Sequence, residues 1–409
     1  MSTKDQRGVE PNHLENPPPL EDPARARACH RRQFRLSVLG FAVSVVYLVG
    51  WLATGASAAL RDRLAAATPH WWLQVPLALL VLGLGHRLVT LPLAWVSGYW
   101  LPRRFGLLHQ QLRLWLADVA KAGAIGAVLA IAGALAVYGL LRATVWWWLW
   151  GAGLFLLGYA LLALAAPALL VPIFYRLTPL PDGDLRSRML RLAARAEIPV
   201  LGVWVADQSR KSRTANAAVV GLARTRRILL FDTLLEAFPT DEIETVLAHE
   251  LGHQVHADVG RGLLVQGALT LGTFWVADHV LRAGSRVFGF AGLADPAGLP
   301  LFGLVVMAVG LFALPLANGW SRRVERQADD FALRLTGNAP AFIAAMQRLA
   351  ALNLVEVQPH PIKEMLFYSH PSIARRVRYA MRFSVSQPDT AHDVRRDCNS
   401  AAQTASKTP

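Results

Sequence analysis

His249-Glu250-Leu251-Gly252-His253 sits in a stretch that opens at Thr240, with Glu242 and Glu244 in its first turn, and continues to residue 258. Acids just after a Thr mark a helix start, so a helix is expected over 240–258. On a helix, positions i and i+4 share a face. His249 and His253 can then reach one zinc ion, with Glu250 beside them to handle a proton. The plain alternative is two histidines on a helix face with no metal. Zinc in a catalytic site needs a third protein ligand and an open fourth position for water. Ser321-Arg322-Arg323-Val324-Glu325-Arg326-Gln327-Ala328-Asp329 offers Glu325. An acid early in a helix is often only a partner for the helix dipole. Asp329, at i+4 from Glu325, is suited to accept a hydrogen bond from a ligating imidazole. Asp330 is expected to be solvated. The candidate ligands are His249, His253 and Glu325, for one zinc per chain.

Working outward, the chain has 409 residues, of which 54% are hydrophobic and only 17% charged, with a net charge of +14. About 25% charged is usual for a soluble domain. An ordinary soluble enzyme and a disordered protein are both excluded, and an integral membrane protein with basic loops is indicated. Nucleic acid is not an expected partner, because the basic residues lie between apolar runs and form no stripe. Two cysteines, Cys29 and Cys398, exclude a disulfide framework and a multi-cysteine zinc module.

A membrane helix needs about 20 apolar residues. Runs of that kind are Leu36–Leu60, Trp71–Leu101, Ala122–Leu141, Ala143–Tyr175, Gly262–Leu281 and Pro296–Ser321. This gives six expected spans, or seven if 143–175 breaks in two. Residues 1–35 read as a disordered basic leader, 36–175 as a four-helix membrane region, and 386–409 as a disordered tail. Residues 176–385 read as a metal-site domain that includes two spans, 262–281 and 297–320. The leader and the loop near Arg103, Arg104 and Arg113 are basic, whereas the connections near 61–70 and 283–295 are weakly charged. The positive-inside rule then puts both termini and the zinc site on the cytoplasmic side of a multi-pass protein in the cell (plasma) membrane.

The polar part mixes element types. Strands are expected at Val203–Val205, Ala217–Leu222 and Ile228–Phe231, from apolar runs bounded by turn residues. Helices are expected over Gly183–Glu197, over Arg322–Leu335 with Gly337 ending it, and over Ser372–Phe383. The fold class is thus mainly α and polytopic, with about six membrane helices and an α+β domain.

HELGH followed across two spans by Glu325-Arg326-Gln327-Ala328-Asp329 resembles the zinc metalloproteases of the CAAX prenyl protease 1 family. Further agreement lies in Pro172-Ile173-Phe174, Thr178-Pro179-Leu180-Pro181, Arg226-Arg227-Ile228, Phe231-Asp232-Thr233-Leu234-Leu235, Arg104-Phe105-Gly106 and Gln110. Asn216-Ala217 resembles the family's substrate-binding edge strand. His370-Pro371, with Arg376 six residues after the histidine, resembles its C-terminal active-site motif. The resemblance implies a gluzincin-like zinc endopeptidase domain. It implies Glu250 as general base, His370 as oxyanion donor, Arg376 as a residue ordering that region, and Asn216 and Ala217 as substrate-binding. It also implies a water-filled chamber among the helices. The chain departs from the family at Pro102, Thr214-Ala215 and Arg375, positions that bear on substrate preference.

Other residues carry plainer readings. His256 is read as a surface residue before a spare ligand, His360 as an exposed loop residue, and Trp146–Trp148 as interface anchors. Arg87, beside His86 within a span, either faces the chamber or snorkels to the cytoplasmic side. The expected partners are a peptide or protein substrate, membrane-associated or not, and the lipid bilayer. Within the protease reading the alternative is an HtpX-like quality-control protease. From another class, the alternative is a non-catalytic metal-binding transporter or sensor, which has no need of Glu250. Ala/Arg/Leu-rich composition points to a GC-rich bacterium, where prenylated proteins are not expected.

Overall fold

Pro23 opens the first helix, at a position where its missing N–H is not needed. α1 (Pro23–Ala53) runs through the first apolar stretch to Gly55, whose φ of 71° turns the chain into the short α2 (Ala56–Ala67). The computed structural model describes residues 23–386 apart from Leu222. The leader expected through residue 35 is therefore helical from Pro23, and the expected tail from 387 and the stretch 1–22 lie outside the described residues. Its polar composition hides the helix because the support is tertiary. Arg25 Nη2 donates to the Phe105 carbonyl at 2.9 Å, and Ala26 is buried with Leu101, Phe105 and Leu354.

α3 (Trp71–Trp95) passes through a π-helical turn at Val96–Trp100 into the single turn α4 (Leu101–Arg104). α5 (Leu112–Ala143) and α6 (Trp147–Leu169) follow, then α7 (Val171–Phe174). The polar part is built from β1 (Leu177–Pro179), α8 (Asp184–Arg195), β2 (Val203–Ala206), β3 (Ala217–Val220), β4 (Arg227–Phe231) and α9 (Asp232–Ala237). Next come α10 (Thr240–Val255), α11 (Asp258–Phe288) and α12 (Leu299–Thr336). The chain closes with α13 (Ala339–Leu352), α14 (Pro361–Phe367) and α15 (Ile373–Ser386).

Among the described residues, five helices are long and apolar enough to cross a membrane, within Pro23–Ala53, Trp71–Arg104, Leu112–Ala143, Trp147–Ala166 and Pro296–Thr336. The run 143–175 holds one of them and does not split into two. The remaining expected span lies in α11, which has the length, 31 residues, but carries Asp278 and Arg282. Those charges are internally matched. Arg282 Nε and Nη2 donate to Asp278 at 2.8 and 2.9 Å, and Trp147 Nε1 donates to Asp278 Oδ1 at 2.7 Å. Trp147 is fully buried in this contact, in a core with Phe274 and Val305. It is not the interface anchor expected from its neighbours, because its indole N–H is satisfied by the buried Asp278 carboxylate and its ring packs inside this core. Trp146, 57% exposed, keeps the surface position.

Two expected elements are one. The last span and the helix expected over 322–335 form the continuous 38-residue α12. Only the composition changes at Trp320–Arg322, where the helix leaves the apolar layer. No residue there breaks the backbone, and Gly337 at φ 63° ends the helix. Glu325 is thus rigidly joined to a membrane helix.

The sheet has the order β1-β2-β4-β3, with β2 and β4 parallel and the outer pairs antiparallel. β1, only three residues long and ending in Pro179, is missed by sequence pattern. β3 is an edge strand. The sheet, α8, α10, α13 and α15 enclose the polar part's core, centred on Leu230, Leu247, Leu251, Leu333 and Phe342.

Candidate active site

α10 turns Val246, Leu247, Ala248 and Leu251 inward, which leaves His249 and His253 facing α12. Two helices can bring imidazoles and a carboxylate together only if they approach closely, and Gly252 permits this. A Cβ there would stand 3.1 Å from Ala328 Cα and 3.3 Å from the Ala328 carbonyl oxygen. Ala328 is one helical turn past Glu325. Gly252→Ala therefore pushes the helices apart at the site. We expect overpacking to cost about 1–3 kcal/mol of stability, seen as a lower melting temperature, together with weaker zinc binding. Unchanged zinc affinity would show that the close approach is incidental.

The three candidate ligands converge. His249 Nε2 lies 3.2 Å from His253 Nε2 and 3.2 Å from Glu325 Oε2, and His253 Nε2 is 3.7 Å from Glu325 Oε1. Donors about 2.0–2.1 Å from a tetrahedral zinc stand about 3.3 Å from one another. Glu325 Oε2 is buried and accepts no hydrogen bond of good geometry, although His249 is near. An orphaned carboxylate oxygen beside two imidazole nitrogens is a donor set that a divalent ion such as zinc fits.

Each imidazole is held from behind. His249 Nδ1 is 2.9 Å from Asp329 Oδ1, and His253 Nδ1 is 2.9 Å from Asp258 Oδ2. Arg376 grips Asp329 with two hydrogen bonds of 2.5 and 2.9 Å and brings Nη2 to 3.4 Å from His249 Nδ1. Burial disfavours a charged His249, but the hydrogen bonds to Asp329 and Glu325 outweigh it and push its pKa up to about 9. Burial likewise opposes charge on Arg376, and Asp329 more than offsets it. The Glu250 side chain, half-buried, makes no hydrogen bond to any described residue, and burial pushes its carboxyl above the usual range despite His249 and His253. His370 Nε2 comes to 3.2 Å from Glu325 Oε1, with Ser369 Oγ on its Nδ1 at 2.9 Å.

His256 stays out of the cluster. Its Nδ1 is 2.8 Å from the Gly252 carbonyl oxygen. His360 is exposed at the start of α14. Asp330, expected to be solvated, is half-buried, accepting from Tyr379 Oη at 2.6 Å and pairing with Arg334 at 2.9 Å.

Ala217 starts the edge strand, and Asn216 just before it lines a 730 Å³ cavity whose wall also includes Asn353, Tyr368, His370 and Arg376. Asn216 directs its carbonyl to Phe231 of β4, so Ala215, Ala217 and Val219 direct theirs outward. Side-chain amides occupy much of that outer edge. Asn353 bonds both the N–H and the carbonyl of Ala215, at 3.0 and 3.2 Å. Asn216 Oδ1 accepts from Ala217 N at 2.9 Å, and Gln254 Nε2 donates to Val219 O at 3.2 Å.

Residues 179–382 match the model of peptidase family M48, and residues 2–176 match a model described as the CAAX prenyl protease N-terminal region with five membrane helices. A Bacillus subtilis protein, the uncharacterized metalloprotease YhfN, is 32% identical over 335 residues, covering 80% of this chain and 78% of its own. The chain belongs to peptidase family M48. CAAX prenyl protease 1 of Saccharomyces cerevisiae is 31% identical over 312 residues, 71% of this chain and 68% of the yeast one. The crystal structure of S. mikatae Ste24p superposes with a TM-score of 0.76 at 25% identity, over 90% of this chain and 92% of that one. This M48 chain is therefore a multi-pass membrane metalloprotease similar to the CAAX prenyl proteases, and a family of proteases acts on protein or peptide substrates. The N-terminal stretch so matched holds four long helices and the short α2 among its described residues.

Sequence reasoning missed three residues at the M48 site. Asp258 lies beyond the end of α10, and only the left-handed turn at Ala257, φ 52°, brings it back to His253. Gln254 is one residue past the motif. Asn353 is 138 residues from Ala215 in sequence and carries no local signal.

Proposed function

We propose that this chain is a zinc-dependent endopeptidase of the prenyl-protease-like branch, in the cell (plasma) membrane, with the catalytic domain and both termini cytoplasmic. The observation that carries the reading is the convergence of His249, His253 and Glu325 between α10 and α12, with Glu250 and His370 beside them. Those three residues hold the ion. Bound there, zinc supplies Lewis acidity that polarises a carbonyl and acidifies water to a pKa of about 7.

The protein's own groups do the rest. Glu250, whose carboxylate accepts no hydrogen bond from the described residues, takes the proton from the attacking water and passes it to the leaving amine. His370 reaches over the site from the loop before α15 and donates to the oxyanion as it forms. Arg376 touches no substrate. It fixes Asp329, which fixes the tautomer and plane of His249. The substrate lies extended along the outer edge of β3, where Asn216 and Ala217 meet its backbone. The amides of Asn353 and Gln254 bracket that edge, so pairing is confined to its middle. The match over residues 2–176 favours this branch over an HtpX-like quality-control enzyme.

The test is hydrolysis of peptides by the purified full chain with and without a chelator, alongside zinc content. His253→Ala and Glu325→Ala should lose both metal and activity, since each removes one of three protein ligands. Chelator-resistant hydrolysis would overturn the zinc reading. Orientation is checked independently. Reporter fusions after residues 65, 110, 240 and 290 should read outside, inside, inside and outside, as the loop charges require. An outside signal at 240 would place the site on the other face of the membrane.

A further inference from the structure

We propose that a cleft between α12 and α15 binds the phosphate of an anionic phospholipid headgroup. The cleft, about 250 Å³, is lined by six arginines and two carboxylates, Asp329 and Glu364. Both acids are committed. Asp329 is held by Arg376 and His249, and Glu364 accepts from Ser372 N at 3.0 Å with Arg375 at 3.4 Å. Arg322 spends its Nη1 on the carbonyl oxygens of Glu364 and Tyr368, at 3.1 and 2.6 Å. Arg326, Arg378 and Arg382 have no hydrogen-bond or ion-pair partner among the described residues, yet all three face one cavity.

Their placement follows from helix periodicity. Arg322 and Arg326 are one turn apart on α12, and Arg375, Arg378 and Arg382 share a face of α15 at i, i+3 and i+7. Like charges gathered in a cavity repel unless an anion sits among them. Guanidinium forks match phosphate oxygens in shape as well as charge.

The depth of the cleft selects the source of the phosphate. The apolar part of α12 ends at Trp320, a residue type that marks the membrane interface. At about 1.5 Å rise per residue, Arg322 and Arg326 stand roughly 3 and 9 Å beyond it, within the headgroup layer. Phe312, 81% exposed, lies on the same side of α12 about four turns before Arg326, and Leu316, 74% exposed, lies between them. A lipid with its phosphate at Arg326 would lay its acyl chain along those two side chains. Clustered arginines just beyond a membrane helix are the usual receptor for anionic lipid. Arg376 forms one wall, so a bound headgroup would buttress the α12–α15 junction that holds Asp329.

The experiment uses the full chain in neutral detergent, titrated with short-chain phosphatidylglycerol, with phosphatidylcholine or with inorganic phosphate, and read by native mass spectrometry. We expect retained phosphatidylglycerol, little phosphatidylcholine, and little competition by phosphate. Arg378→Gln/Arg382→Gln should weaken phosphatidylglycerol roughly tenfold or more, and Arg326→Gln alone by less. Arg186→Gln/Arg191→Gln on α8 should leave it unchanged. Arg378 and Arg382 are exposed, so the double variant should keep its melting temperature, which checks folding. Equal retention of phosphatidylcholine, equal weakening by the α8 pair, or full displacement by inorganic phosphate would each overturn the proposal.

Discussion

Replacing Glu250 by Gln leaves zinc bound and lowers peptide hydrolysis by roughly 10²- to 10⁴-fold, the range a positioned general base contributes. Gln has the shape of Glu but cannot take a proton. Glu250 bonds none of the described residues, so the substitution breaks no hydrogen bond that holds α10 against α12. The candidate ligand atoms belong to His249, His253 and Glu325, which the change does not touch. Zinc stoichiometry and melting temperature should therefore match the parent while turnover collapses. The contrast with Glu325→Ala, which should lose metal and turnover together, separates a proton carrier from a ligand. Near-normal turnover of the Gln variant would sink the general-base assignment.

His370→Ala should retain zinc and fold and lose roughly 10²- to 10³-fold in turnover, the scale of one oxyanion donor. His370 is 58% exposed, so its removal leaves no buried cavity, yet its Nε2 stands 3.2 Å from Glu325 Oε1 at the site. Its place near a ligand raises a second role, that of steadying Glu325. Zinc affinity distinguishes the two, because a steadying role would weaken metal binding in proportion to the lost activity. His360→Ala is the control, since that side chain is exposed before α14 and outside the site cavity. Equal and small effects from the two substitutions would remove His370 from the chemistry.

Much of the site was legible because its chemistry is compressed into local patterns. The i, i+4 histidines with Glu250 between them announce one helix face, and Glu325 with Asp329 repeats the same spacing on a second helix. Asp258 was not legible, because its approach to His253 depends on a backbone turn at Ala257 that no residue type advertises. Trp147 was misread because three successive tryptophans look alike in composition, whereas only one of them meets Asp278. α1 before residue 36 was misread because polar residues form a helix there only against Phe105 and Leu354, which come from distant parts of the chain.

The amino-acid sequence alone determined the membrane class, the approximate number of spans and the protease family, and it singled out His249, His253 and Glu325, which the fold brings together. Each of these rests on short-range periodicity or on a compact motif, and both survive without knowledge of the partner surfaces. Only the tertiary structure decided that one unbroken helix carries Glu325 out of the membrane, and that Gly252 lets it reach the histidines. It alone decided that side-chain amides bracket the edge strand and that six arginines from two helices meet in one cleft. Those arrangements join residues tens to more than a hundred positions apart. Their energies come from close packing and matched charge across elements, which no local pattern encodes.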